Sequence, residues 1–453
     1  MKPYGRRDFL RAGLLGAAGA VFPGCLRSTT IPPALPTAPV STPWPEANAI
    51  LDRTALPGIP AATFTTFGAR GNGRADDTQA LQNAIDACHG AGGGRVVVPE
   101  GVFRTGALRL RSRVDLHLSK GTTLRFSDDP GRFPAVSTRY EGLECVNRSP
   151  MLYARDATDV AVTGSGTLDA SDTAVWNRGD DREGVLEPLV RRGLLGDQRV
   201  VVGRLRTAML ETLGCARVLI QDVTLTGSQF WQLHPISSVD VTIDGVTTWD
   251  SGANSDGCDP ESCDRVVIRR CSFGSGDDNI AIKSGRDEDG RRLAVPCRNV
   301  VIVGCQAEGR FGFITCGSEQ SGGIENVYAF GNRTYGRGVG NAVWVKSNSR
   351  RGGYTRNLNV SGFRGRVRKA AIAITMKYDD QSGRFPPAFE GIHLSDFAVD
   401  GAVAALDVEG LPESPVRGLI ISDATFTDVV GDDNVRHAEV MRRDVSVNGL
   451  LRP

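Results

Sequence analysis

The sequence predicts an all-β chain: a single-stranded right-handed parallel β-helix, a solenoid, closed at its N-terminal end by one capping helix. Three observations predict it. Short β-branched runs recur along the chain, each run ends in a turn of Gly, Asp, Asn or Ser, and the interval between runs is that of one solenoid coil. The runs include Val160–Val162, Val218–Ile220, Val241–Ile243, Val266–Ile268, Val300–Ile302, Val327–Ala329, Leu358–Val360, Ile392–Leu394 and Leu419–Ile421. Val218 to Val241 is 23 residues and Val241 to Val266 is 25, while the longer step to Val300 implies a loop inserted between coils. A β-sandwich would alternate antiparallel hairpins with tight turns, and a propeller would repeat at about twice this interval. Each coil buries its inner face only against its neighbours, so residues 61–453 should act as one domain.

The cap comes first in the chain. Asp76-Asp77-Thr78 precedes apolar residues at Leu81, Ala84, Ile85 and Cys88, which fall on one face of a helix ending at the Gly90–Gly94 cluster. Those glycines have no Lys-Ser continuation, so they read as a helix-to-strand turn and not as a phosphate cradle.

Upstream, Arg6-Arg7 precede a short apolar run, Ala12–Phe22, which reads as a twin-arginine export signal over residues 1–30 and predicts a periplasmic, secreted or lipid-anchored protein. Cys25 is a candidate for lipid attachment, although Phe22-Pro23 fit such a site poorly. Residues 31–60 have the Pro, Ser and Thr content of a linker. No run is long enough to predict a membrane span. The ten cysteines show no Cys-x-x-Cys spacing, which argues against structural zinc and for buried thiols, with Cys258–Cys263 and Cys297–Cys305 left as conceivable bridges. Lys+Arg (53) and Asp+Glu (52) nearly cancel, so no global field would recruit nucleic acid. The chain is read as a monomer acting on a polysaccharide.

Chemistry concentrates in the middle of the chain. His234, Asp256 and Asp278 are spaced by 22 and 22 residues, and Asp277 adjoins Asp278. In a solenoid such spacing predicts stacking about 4.8 Å apart along the axis. Carboxylates this close raise one another's pKa, so that one can stay protonated and donate to a leaving oxygen while another activates water. Asp-Gly and Asn-x-Asp are also ordinary turn chemistry, and a calcium-dependent lyase would use a similar cluster. Asp287-Glu288-Asp289 reads as a solvated loop.

Several longer motifs then carry a resemblance. Asn254-Ser255-Asp256-Gly257, Gly276–Gly285, Gly317–Gly323, Arg350–Gly353, Phe126–Pro130 and Ser228–Pro235 resemble, in order, the bacterial branch of glycoside hydrolase family 28, the polygalacturonases, over most of residues 60–450. The resemblance implies an inverting, polygalacturonase-like hydrolase of pectic α-1,4-galacturonosidic bonds, with no cofactor and no metal. Asp277 would be the general acid, while Asp256 and Asp278 would position and activate water. Lys346 would hold a substrate carboxylate, Tyr378 would line the cleft, and Asn254 would contact the substrate.

Two positions depart from the family pattern. The family's Gly-His-Gly is replaced around Arg310-Phe311-Gly312, and its Arg-Ile-Lys by Trp344-Val345-Lys346. An arginine fork holds a carboxylate as a lone ammonium does not, whereas Trp344 offers a face for a sugar ring. The substitution leaves open a rhamnogalacturonan or neutral-sugar substrate, or an inactive carbohydrate-binding β-helix. His234 is a candidate to replace the missing histidine beside Asp256. The insertions at 170–205 and 284–297 hint at walls around the site and at attack on chain ends.

Overall fold

The computed structural model describes residues 41–66 and 68–452, and the twin arginines and Cys25 lie outside them. The chain forms a right-handed parallel β-helix. The recurring runs read from the sequence are one continuous parallel ladder: Val218 pairs with Val241, then Val266, Val300, Val327, Leu358, Ile392 and Leu419. Every residue of that row is at most 1% exposed. Their side chains fill the solenoid axis, and each full burial contributes about 1.5–3 kcal/mol. The nine described cysteines are buried free thiols, eight of them in the same interior and Cys145 in a separate apolar cluster, so neither conceivable bridge forms.

The helix Thr78–Gly90 caps the N-terminal end through Leu81, Ala84, Ile85 and Cys88. Asp77 does not cap it with its side chain. That carboxylate accepts instead from the Arg70 and Gly71 amides at 2.7 and 3.0 Å, and Asp76 takes the Thr78 amide at 3.1 Å.

Two expectations need correction. The segment read as linker contains a helix, Pro45–Arg53, which starts on a proline and sets Ala47 and Ile50, with Trp44 alongside, against Val301, Val303 and Tyr328. Its apolar residues three apart find a partner on the outside of the solenoid, which overrides the linker-like composition. Asp287-Glu288-Asp289 is not a solvated loop either. It opens the helix Asp287–Leu293, and Asp289 is wholly buried against Arg199. Acidic residues suit a helix N-terminus, and this guanidinium neutralises the buried carboxylate.

One face of the solenoid carries the site. Its strands run from Leu108–Arg109 through Leu152–Arg155, Leu210–Leu213 and Leu233–Ile236. Single bridges at Cys258 and Glu261 continue the ladder. It then resumes through Ile280–Ile282, Gly312–Gly317, Asn341–Lys346, Ala370–Thr375 and Ala404–Glu409. On the N-terminal side a wall rises, made by the hairpin Ala135–Tyr140/Leu143–Arg148 and segment 170–205. Tyr140 stacks on Phe230, which stacks on Trp231, at 4.7 and 4.9 Å between ring centres. Leu186, Val201 and Leu205 join that apolar cluster. Arg286 ties the wall to the ladder by donating to Glu141 at 2.8 Å and to Glu319 at 3.4 Å. Among the described residues, no helix is long and apolar enough to cross a membrane.

Candidate active site

Asp256 and Asp278 fall in register on adjacent coils because Cys258 pairs with Ile280, two residues further on in each coil. Asp277 joins them, and one carboxylate oxygen from each lies within 4.8 Å of the others. All three are buried, at 3% exposure for Asp256, 1% for Asp278 and 7% for Asp277, which is the most accessible of the trio.

Their surroundings differ. Asp278 is held from two sides: its Oδ2 accepts from Lys346 Nζ at 2.7 Å and its Oδ1 from the Gly312 amide at 2.7 Å. A Cβ at Gly312 would lie 2.1 Å from Thr315 Oγ1 and 3.0 Å from Asp278 Oδ1, so only glycine lets that amide come so close. Asp277 Oδ1 accepts the Asp278 amide at 3.1 Å. Asp256 Oδ1 has no hydrogen-bond partner in the protein. Burial, then the neighbouring Asp259 and Asp277, push the Asp256 carboxyl well above the usual carboxylate range. This crowding favours the protonated form of Asp256, and its buried Oδ1 is an acceptor that suits a water.

Residues that the sequence reading did not select complete the charge balance. Lys283 Nζ sits 3.2 Å from Glu319, 3.5 Å from Asp259 and 4.0 Å from Asp256, over the Trp231 ring at 4.5 Å. Burial opposes its charge, but Glu319, Asp259 and Asp256 outweigh it and hold the ammonium firmly protonated. Lys346 behaves likewise: burial is outweighed by Asp278 and its neighbours, and its pKa is raised. A signal for Lys283 was present in the sequence, since Glu261 and Lys283 continue the same 22-residue step as Asp256 and Asp278.

His234 does not stack on Asp256. Leu233 pairs with Cys258, so this coil is 25 residues long and His234 falls in register with Asp259, while Trp231 falls in register with Asp256. The imidazole is wholly buried, with Nε2 3.1 Å from Glu261 and Nδ1 3.4 Å from Glu211. It braces the floor beneath the wall and reaches no cleft surface. Asn254 is also nearly buried, and its Oδ1 accepts from Arg206 at 2.8 Å.

On the C-terminal side of the trio three aromatic rings gather. Phe311 and Trp344 lie nearly parallel with ring centres 6.3 Å apart, and Tyr378 meets Trp344 edge-on at 5.9 Å. Lys346 Nζ lies over the Trp344 ring at 3.8 Å and 5.1 Å from that of Tyr378. Trp344 is half-buried, packed beside Ala370, Ala373 and Ala404, and so neither a loose surface ring nor a core residue.

A buried carboxylate trio with paired ammoniums, on one face of a β-helix and beside exposed and half-buried aromatic and basic side chains, is an arrangement for acid and base work on a polymer. Residues 197–436 match the sequence model of glycosyl hydrolases family 28. The chain belongs to glycosyl hydrolases family 28. The chain is 34% identical to a hyperthermoactive exopolygalacturonase from Thermotoga maritima, with a TM-score of 0.83, over 89% of this chain and 96% of that one. It is 29% identical to a probable polygalacturonase from Vitis vinifera over 81% of this chain and 74% of that protein. It is 26% identical to an exo-poly-alpha-D-galacturonosidase from Dickeya chrysanthemi, over 81% of this chain and 65% of that enzyme. As a family 28 member the chain is a polygalacturonase-like glycosidase.

Proposed function

We propose that the protein hydrolyses α-1,4-galacturonosidic bonds of pectic polysaccharide from the chain ends, with inversion at the anomeric carbon. The observation that carries this reading is the single cluster of Asp256, Asp277 and Asp278 beside the Lys346 and Trp344 platform. Asp277, the most accessible of the three, donates its proton to the leaving oxygen, and Asp256 and Asp278 position the attacking water. The carboxylates are closer together than the about 6.5–9.5 Å usual for an inverting pair, so the water sits among three carboxylates instead of between two.

Substrate charge follows from the platform. An indole flanked by ammonium groups suits an acidic sugar better than a neutral one, which weighs against the neutral-sugar alternative. Attack on chain ends is supported by the wall over Trp231 and by the names of the Thermotoga and Dickeya relatives. Export by the twin-arginine route rests on the first residues alone, and N-terminal sequencing of envelope material checks it.

The test is reducing-sugar release, with chelator present, from polygalacturonate, rhamnogalacturonan and neutral glycans. The reading predicts release from polygalacturonate, unaffected by chelator, with one small product from the earliest times and a slow fall in viscosity. Release confined to the other polymers, or loss of activity on chelation, would overturn it.

A further inference from the structure

Lys346 is the one cation that the sequence offered for holding a substrate carboxylate, but its ammonium is committed to Asp278 at 2.7 Å and is 5% exposed. A second cation stands nearby. Extending the register from Asn341 and Ala370 places Phe311, Gly340 and Lys369 in one row, on three successive coils after Asp277. Gly340 has no side chain, and a Cβ there would lie 2.6 Å from the Arg310 carbonyl and 2.9 Å from that of Phe311. The coils are thus closely apposed here, and the Lys369 side chain reaches back past one whole coil, so that its Nζ lies 4.4 Å from the Phe311 ring centre and 5.8 Å from that of Trp344.

We propose that Lys369 is the residue that grips the substrate carboxylate on this platform, supplying the charge that a guanidinium at position 344 would otherwise provide. Three features converge on it. Lys369 is exposed, and among the described residues its ammonium forms no ion pair, so it is available to a ligand. Its ammonium lies near both the Phe311 ring and the Trp344 indole and, unlike that of Lys346, is not paired with a catalytic carboxylate, so it can meet the carboxylate of a sugar held at this aromatic platform. Desolvation against the rings, with Lys346 and Arg310 nearby, pulls its pKa down despite Asp278 and Asp277, and a bound carboxylate would reverse that.

The inference rests on the proposed acidic substrate, so its test uses binding as well as turnover. Calorimetric titration with trigalacturonate and with its methyl ester compares the Asp277→Asn protein with Asp277→Asn carrying Lys369→Met or Lys369→Arg. The methionine variant should weaken trigalacturonate binding by about 10- to 100-fold, the arginine variant should restore most of it, and the neutral ester should be insensitive to both. On polygalacturonate, Lys369→Met alone should raise KM with little change in kcat. Equal loss for acid and ester would mean a packing role, and unchanged binding of trigalacturonate would mean no role; either overturns the assignment. Inactivity of the wild type on polygalacturonate, with trigalacturonate binding still dependent on Lys369, would sink the proposed hydrolysis and leave the clamp standing.

Discussion

Lys346 Nζ donates to Asp278 Oδ2 at 2.7 Å while resting on the face of Trp344. One ammonium therefore links a carboxylate of the trio to the apolar platform on which a sugar would lie. Removing it would leave Asp278 buried without its cation. Lys346→Met should lower kcat on the order of 10²–10³-fold, by analogy with deleting one preorganised electrostatic partner. It should also reduce stability by about 3–5 kcal/mol, because a lone charge stays buried. Denaturant melts alongside kinetics check both, and an unchanged kcat would show that the pair is only structural.

Asp259 is a lever on the protonation of Asp256. Burial is the largest cause of the raised Asp256 pKa, and the Asp259 charge comes next. A raised carboxyl holds its proton to higher pH, and Asp256 must lose that proton to help activate water, so the acidic limb of the pH-rate profile reports its ionisation. Asp259→Asn removes the neighbouring charge, and the acidic limb should move to lower pH. A limb that stayed in place, or moved up, would mean that the retained proton does not limit turnover.

His234 gives the fold a pH dependence of its own. Burial alone would lower the imidazolium pKa, but the carboxylates of Glu211 and Glu261 outweigh it and the net shift is upward. The folded state therefore holds this proton more tightly than the unfolded chain, whose histidines titrate near about 6.5. The resulting stability is fully present below that value and is lost as pH rises through the higher folded value. Thermal melts from pH 5 to 9 should show this fall in the wild type and a flatter profile in His234→Gln.

The solenoid and the acid trio were legible because both are written at short range. Turn residues and β-branched runs mark each coil, and Asp256 and Asp278 are separated by one uninterrupted coil of 22 residues. His234 was placed wrongly because the preceding coil is three residues longer, and equal spacing does not mean equal register. Lys369 went unnoticed for a related reason. It acts across two coil steps, a relation that no local motif encodes. The helix Pro45–Arg53 was hidden by composition, since its few apolar residues have meaning only against Val301 and Tyr328.

If Asp277 is the general acid, a leaving group that departs without protonation should no longer need it. Turnover of Asp277→Asn should be measured on polygalacturonate and on an aryl galacturonide whose phenol leaves without protonation. Activity should fall on the order of 10²–10⁴-fold on the polymer, with near-wild-type cleavage of the aryl glycoside. An equal fall on both substrates, or full activity on the polymer, would show that Asp277 is not the proton donor.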